Sequence, residues 1–331
     1  MKLTVWNSDH QRPILVQKVP LRISIIGGGT DMPEFVEEAG WGMCLSLSIN
    51  HGVAAVAQFS RERCEPIVDQ QCDTPLTKAI LERFNKTGVL KKVSMFEDVP
   101  TIGTGLGSSS AWTVALSRAL TEVRGADASI SAAESFYIER HLAGHSCGYQ
   151  DHAAASFGSS GIFTFNKSAT PRPEGGWGVN FVNRDLPSST WLQNRVSLYR
   201  VEGKRDSSAL LAEQAARLHS HDTFNVYLRM RDLAEKFVVA LINQDEKRCG
   251  MLLQNAWELK RAFGRDVTND VINAAVDSAI SAGAYSAKIM GAGSAGYLMV
   301  YRPVDCSSKV DSAMKELGHQ KITYGLHGRL S

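Results

Sequence analysis

Two acidic residues of the sequence, Glu139 and Asp151, stand twelve positions apart in segments suited to chemistry. Asp151 lies in CGYQDHAAA, between a glycine turn and a small-residue helix, and Glu139 lies further along a preceding helical stretch. A carboxylate can accept a proton or bind Mg²⁺. Asp151 taken alone also fits a first-turn helix acid stabilised by the helix dipole. Ser131 and Glu134 have the spacing of a capping box, so we interpret Glu134 as a cap and not a catalyst.

A glycine- and serine-rich loop, GTGLGSSS at residues 103–110, leads directly into an apolar helical stripe. Glycines let the backbone approach an anion, the helix N-terminus offers free amide hydrogens, and serine hydroxyls can bind phosphate or magnesium. The GxxxxGK[ST] pattern is absent and Ser108 breaks the GxGxxG register, so the loop predicts a third class of phosphate site. A serine-capped helix after a glycine turn is the plainer alternative. The expected nucleotide contacts are Gly103, Gly105, Leu106, Gly107, Ser108, Ser109 and Ser110.

Two further glycine clusters flank this loop along the chain. GAGSAG at residues 291–296 matches GxGxxG, but a β-prone run follows it, so we predict a hairpin and reject a nicotinamide enzyme. The second cluster, at residues 27–29, comes directly after an alternating strand and has Arg22 and Asp31 at its two ends. Consecutive glycines favour close approach of a ligand to the backbone, although a hairpin turn with polar flanks would look the same.

Composition narrows the class of protein. The 331 residues suit about two domains, and 36 basic against 34 acidic residues give a net charge of +2 with no basic patch. We therefore expect no nucleic-acid partner. No stretch reaches the roughly 20 apolar residues of a membrane span, and we expect a cytoplasmic protein. The six cysteines are scattered; His141, His145, Cys147 and His152 could assemble a zinc site, but Leu142 replaces the glutamate of a zinc hydrolase motif.

The hydrophobic pattern predicts a mixed α and β organisation. Strand-like and helix-like stretches alternate up to about residue 165, and the proline- and glycine-rich residues 166–189 suggest a loop or domain junction. Three amphipathic helices are expected at residues 207–218, 223–242 and 246–263. A fourth is expected between a cap at Thr268 or Asn269 and a stop at Gly283.

The three loops and two acids together resemble the GHMP kinase superfamily, which includes galactokinase, homoserine kinase and mevalonate kinase. PLRISIIGGGTD at residues 20–31 is similar to the family's first motif, GTGLGSSSA at residues 103–111 to its second, and KIMGAGSAGYLM at residues 288–299 to its third. The opening motif, GYQDHAAASFG and LYRVEGKRDSS look most like the D-glycero-D-manno-heptose 7-phosphate kinases, which phosphorylate an anomeric hydroxyl. The resemblance spans nearly the whole chain.

This resemblance implies an α+β fold of two domains with ATP and the acceptor between them. Residues 1–185 would form an N-terminal ATP-binding domain like domain 2 of ribosomal protein S5, and residues 186–331 a ferredoxin-like C-terminal domain. The resemblance also implies Asp151 and Arg22 as the catalytic pair, and Ser109 and Glu139 as magnesium ligands. The implied substrate-binding residues are Gly28, Gly29, Thr30, Asp31, Gln150, Lys204, Arg205, Gly291 and Gly293.

Several points stay open at this stage. Lys204 and Arg205 could bind the phosphate of a phosphorylated sugar or form a solvated turn. Ser294 and Ala295 replace glycines usual in the third motif, and we expect their side chains to narrow that loop. A non-catalytic protein that binds a sugar or nucleotide, or a kinase for galactose or fucose, is the alternative to a heptose kinase. Asp31 and the QDH sequence speak against a non-sugar alcohol. A monomer and a homodimer fit equally well.

Overall fold

Two mostly antiparallel sheets, each covered by helices, organise the chain. The computed structural model describes residues 2–5, 14–60, 64–84, 90–100, 104–121, 127–171, 177–203 and 207–328. The first sheet uses strands up to residue 185 and the second uses strands from residue 196 onward. We propose residue 185 as the end of the N-terminal domain.

The first sheet has seven strands within the described residues and the order β1-β2-β3-β5-β4, with β6 joining β3 to β7. Neighbouring strands are antiparallel except for β4 and β5. The long β2 and β3 shift register between Pro20 and Arg22, which marks a bulge where β2 enters the site. The strands are β1 (Lys2–Val5), β2 (Ile14–Ile26), β3 (Trp41–Phe59), β4 (Ile67–Val68), β5 (Leu90–Glu97), β6 (Gly161–Pro171) and β7 (Trp177–Asp185).

The helices of this part pack on the first sheet and carry two of the predicted motifs. The helices are α1 (Pro33–Ala39), α2 (Pro75–Phe84), α3 (Ser108–Thr121), α4 (Ala128–Tyr137) and α5 (Tyr149–Phe157). Helix α3 begins inside the serine run and is buried from Ser110 to Ser117, so it runs through the interior with its N-terminus at the site. A π-helical turn, Ile138–Leu142, continues α4 and contains Glu139. Such turns often occur at functional sites.

The second sheet is fully antiparallel in the order β11-β8-β10-β9, which is the ferredoxin-like arrangement. Its strands are β8 (Val196–Val201), β9 (Ser286–Ile289), β10 (Gly296–Tyr301) and β11 (Gln320–Ile322). Its helices are α6 (Ser189–Gln193), α7 (Ser207–Arg217), α8 (His221–Ile242), α9 (Glu246–Arg261), α10 (Asp270–Ser281) and α11 (Ser307–Glu316). The predicted hairpin after residue 291 is confirmed, and Asn269 caps α10 by accepting from Ile272 N at 3.0 Å.

Two predictions about local structure are wrong. The loop alternative for residues 166–189 is wrong, because β6 and β7 pair along much of this segment and place Phe165 opposite Phe181, while the domain junction stays a prediction. Ser131 and Glu134 do not form a capping box, because the cap of α4 is four residues earlier, at Asp127, whose carboxylate accepts from Ser129 N. Glu134 instead forms an ion pair with Arg83 at 2.7 Å.

None of the helices in the described ranges combines the length and apolar character needed to cross a membrane.

Candidate active site

A cavity of about 470 Å³ receives residues from both parts of the chain. Its wall includes the end of β2, the N-termini of α3 and α5, and the loop after β9. Thirteen of the residues predicted to form a site line it together: Arg22, Gly28, Gly29, Asp31, Gly105, Gly107, Ser108, Ser109, Ser110, Glu139, Gln150, Asp151 and Gly291.

Three predicted site residues do not line the cavity. Thr30 is fully buried and its hydroxyl bonds to Gly27 O and to the backbone of Met43. Leu106 packs in the core while its carbonyl accepts from Arg22 N at 3.1 Å. Gly293 packs on residue Val267, where an added Cβ would lie 2.5 Å from the carbonyl oxygen. The predicted residues Gly103, Lys204 and Arg205 lie outside the described residues.

The narrowing of the third-motif loop by Ser294 and Ala295 stays a prediction, and neither residue is among those that line the cavity. Ser294 adopts a left-handed conformation with φ of 68° and donates its backbone N–H to Val267 O. Ala295 is 2% exposed and lies against Gly203. Neither residue therefore forms part of the cavity wall.

Arg22 and Asp151 form an ion pair at the cavity wall. Arg22 Nε donates to Asp151 Oδ1 at 2.8 Å and Nη2 lies 2.5 Å from the same oxygen. The third nitrogen, Nη1, donates to Gly105 O at 2.5 Å. The arginine therefore connects β2, α5 and the glycine- and serine-rich loop at residues 103–110, which we call the phosphate loop. It does not contact the other carboxylate oxygen, Asp151 Oδ2. The side chain of Asp151 is 29% exposed, so this oxygen can meet a ligand.

The glycines of the phosphate loop have conformations and contacts that exclude side chains. Gly105 and Gly107 have φ of 80° and 78°, in the left-handed region. A Cβ on Gly107 would lie 3.3 Å from Asp151 Cγ, and one on Gly105 would lie 2.7 Å from Met290 C. The loop thus brings the N-terminus of α3 close to the carboxylate of Asp151. A polyphosphate bound there would lie beside the acid.

Glu139 is buried at 2% exposure in a polar network. Its Oε2 accepts from Ser110 Oγ at 2.9 Å and lies 2.8 Å from His152 Nε2, while His145 Nδ1 lies 3.9 Å from Oε1. Burial would raise the pKa of Glu139, but the contacts with His145, His152 and Ser109 outweigh it and hold the pKa well below its ordinary value of 4.5. Glu139 is therefore a carboxylate at neutral pH.

Asp31 and Gln150 lie in the cavity wall close to Asp151. Asp31 accepts from Gly29 N at 2.9 Å and from Gln150 N at 3.1 Å. Burial and the charge of Asp151 raise the pKa of Asp31. The Gln150 amide bonds to the hydroxyls of Ser24 and Ser46 and is 3% exposed. These contacts hold the polar edges of Asp31 and Gln150 at the cavity.

Two of the four residues considered for a zinc site, Cys147 and His152, come together, and Glu139 joins them. Donor atoms of Glu139, Cys147 and His152 lie within 4.8 Å of one another. The imidazole of His141 instead packs against the rings of Phe136 and Tyr137. The sequence alone did not connect His152 with Glu139, because their contact depends on how the π-helical turn meets α5.

The residues that could hold a magnesium ion offer the oxygen ligands that this ion prefers. Ser109 is exposed to the cavity, and the Glu139 carboxylate stands beside it. The low pKa of Glu139 keeps its charge available for a cation. These two residues would therefore suit a divalent ion such as Mg²⁺.

Comparison with known proteins decides the family. The family description "GHMP kinases N terminal domain" matches residues 75–159, and "GHMP kinases C terminal" matches residues 237–316. The chain belongs to the GHMP kinases. It is thus an ATP-dependent phosphotransferase.

Relatives within the GHMP kinases differ in their acceptors. The chain is 25% identical over 332 aligned positions to D-glycero-alpha-D-manno-heptose 7-phosphate kinase of Campylobacter jejuni, covering 91% of this chain and 94% of the relative. A crystal structure of a D-glycero-D-manno-heptose 1-phosphate kinase from Bacteroides thetaiotaomicron has a TM-score of 0.69 at 20% identity, covering 95% and 96% of the two chains. The L. major mevalonate kinase in complex with R-mevalonate also has a TM-score of 0.69, at 16% identity and 100% and 99% coverage. Similarity of fold therefore leaves the acceptor undecided.

Proposed function

We propose that this GHMP kinase transfers the γ-phosphoryl group of ATP, with Mg²⁺, to the anomeric hydroxyl of a sugar. The proposed acceptor is D-glycero-D-manno-heptose 7-phosphate, and the product is its 1,7-bisphosphate, an intermediate for nucleotide-activated heptose. The observation that carries the proposal is the position of the Asp151 carboxylate. Arg22 orients it, and it lies against the bare backbone of Gly107 in the phosphate loop. The acceptor assignment takes its support from the heptose kinase relative.

In this proposal the acceptor hydroxyl donates a hydrogen bond to Asp151 Oδ2. As the sugar oxygen forms its bond to the γ-phosphorus, the bond between that phosphorus and the ADP oxygen breaks and the hydroxyl proton passes to Asp151. Arg22 holds Oδ1 and so orients the carboxylate for this step. The amide hydrogens at the start of α3 stabilise charge on the phosphate oxygens.

Magnesium would be held by Glu139 and Ser109, and when bound it neutralises negative charge between the phosphate groups. His152 and His145 keep Glu139 ionised for that role. Asp31 and Gln150 would hold sugar hydroxyls beside Asp151, next to Gly28 and Gly29. Six cysteines without disulfides suit the reducing cytoplasm, which we propose as the compartment.

The test is ADP release by the purified protein with Mg²⁺ and a panel of acceptors. The panel compares D-glycero-D-manno-heptose 7-phosphate with sedoheptulose 7-phosphate, galactose, fucose, mannose and mevalonate. We expect turnover of the heptose phosphate, loss of at least about 10²-fold in Asp151→Asn, and a new phosphorus resonance coupled to the anomeric proton. Turnover of mevalonate alone would overturn the sugar assignment, and ATP binding without turnover of any acceptor would favour a non-catalytic binding protein.

A further inference from the structure

Lys288 is a buried lysine in the cavity wall. It lies on β9 among the fully buried residues Ser286, Ala287 and Ile289, and it is itself 6% exposed. It also lines the cavity. In the described part of the chain, no carboxylate and no hydrogen-bond acceptor pairs with its ammonium group.

Two other cations that line the cavity already have protein partners. Arg22 contacts Asp151 and Gly105 O. Lys260, on α9, donates from Nζ to Ile289 O at 2.9 Å and to Gly291 O at 2.6 Å. Lys288 is thus set apart from them, because its charge faces the cavity with no acceptor within the described residues.

Keeping an unpaired ammonium group in a protein interior is unfavourable. Burial and the positive charge of Arg22 on β2 lower the pKa of Lys288 to about 7, while Cys44 on β3 acts weakly in the other direction. Lys260 adds a further cation from α9 on the same wall. A bound anion would compensate this cluster of positive charge, and groups perturbed in this way often belong to functional sites.

We propose that Lys288 binds a phosphate oxygen of a substrate held in this cavity. The inference rests on the proposed function, since it takes the cavity to receive ATP and a sugar. The phosphate can come from two sources, the nucleotide or a phosphorylated acceptor, and both present the same anionic oxygen. Lys288 would supply this contact from the C-terminal part of the chain, opposite the amide hydrogens of α3.

The test measures binding, so it does not depend on turnover. Calorimetry compares wild type with Lys288→Met for four ligands: AMP-PNP with Mg²⁺, adenosine, heptose 7-phosphate and the unphosphorylated heptose. A hydrogen bond to a charged group predicts a loss of affinity of about 10- to 100-fold for the ligand whose phosphate Lys288 binds. The matched control is Lys321→Met, which removes a lysine of the same sheet that is paired with Asp311 outside the cavity. We expect it to change no affinity.

Proton uptake provides a second readout. In wild type at pH 8, binding the phosphate should recruit up to about one proton to Lys288, measured in buffers of different ionisation enthalpy. This uptake should be absent from Lys288→Met. The variant should also unfold at the same temperature as wild type or higher, because it removes a buried charge without a partner.

The arms separate the outcomes. A loss for AMP-PNP but not adenosine assigns the nucleotide phosphate, and a loss for heptose 7-phosphate but not the free heptose assigns the acceptor phosphate. Losses below about threefold on both phosphate arms, or equal losses with the unphosphorylated ligands, would overturn the proposal. If no sugar is phosphorylated but the nucleotide arm still shows the loss, the acceptor assignment fails while the role of Lys288 stands.

Discussion

The contact between Arg22 and Asp151 predicts strong coupling between the two residues. Arg22→Met removes two contacts to Oδ1, at 2.8 Å and 2.5 Å, and leaves the carboxylate without its cation. Hydrogen bonds to charged groups contribute about 1.5–3 kcal/mol each. Because the side chain of Asp151 is 29% exposed and solvent weakens the pair, we take about 2–3 kcal/mol for the two contacts together. This corresponds to a coupling of about 30- to 150-fold.

The assay is a double-mutant cycle on single-turnover phosphoryl transfer at saturating ATP. We expect Asp151→Asn to lose about 10³-fold and Arg22→Met about 10²-fold. If Arg22 acts by orienting Asp151, the double variant should lose about 10³-fold and not the 10⁵-fold of independent effects. Thermal unfolding of each variant checks that the fold is intact.

A surface ion pair whose lysine lies on β2, as Arg22 does, provides the matched control. Lys18 and Asp98 lie 2.7 Å apart with side chains 43% and 37% exposed. Lys18→Met should change the rate less than about threefold and should combine additively with Asp151→Asn. Multiplicative losses in the Arg22 and Asp151 cycle would refute the orienting role of the arginine.

Three further predictions follow from the loops and from Glu139. Glu139→Gln should raise the Mg²⁺ concentration for half-maximal rate by about 10-fold or more, since it removes the charge that the ion would meet; an unchanged magnesium titration would exclude this ligand. Gly105→Ala should lower both the melting temperature and the rate, because a Cβ would lie 2.7 Å from Met290 C, whereas Gly144→Ala, with a positive φ but nothing within 4 Å, should show backbone strain alone. The pKa of Glu139 is lower in the folded than in the unfolded protein, so its contribution to stability is present above about pH 4.5 and is lost as the pH falls. Between about pH 5 and pH 3, the free energy of unfolding measured with urea should therefore fall more steeply for wild type than for Glu139→Gln.

Local patterns in the sequence predicted the elements that carry the chemistry. The serine run at the start of α3, the hairpin between β9 and β10 and the cap at Asn269 each depend on neighbouring residues alone. The prediction of a loop at residues 166–189 was wrong because the structure there depends on residues distant in the chain. The proline and glycine content of this segment does not reveal strands, because the pairing of Phe165 with Phe181 depends on contacts across the sheet.

The site required contacts that no local pattern contains. Lys288 looks like one polar residue of a short strand, and the strand's own sequence does not show that the lysine is buried in a cavity wall with Arg22 of the other sheet nearby. Glu139 is similar, because its partners His145 and His152 come from beyond its own helix. Residue types thus predicted which chemistry was available, but the charges and their partners depended on packing between distant segments.

The glycines at residues 291–296 match the GxGxxG pattern, but their contacts show a different structural role. Tyr297 N donates to Thr104 O at 3.0 Å, and a Cβ on Gly296 would lie 2.4 Å from that same oxygen. From the other side, Gly105 leaves no room for a Cβ against Met290. The glycines of the third motif therefore let its loop pack directly against the phosphate loop. This close packing requires residues without side chains, as the close approach of a dinucleotide would. Since Lys288 and the N-terminus of α3 line the same cavity, the site depends on the contact between the two loops as much as on the residues within them.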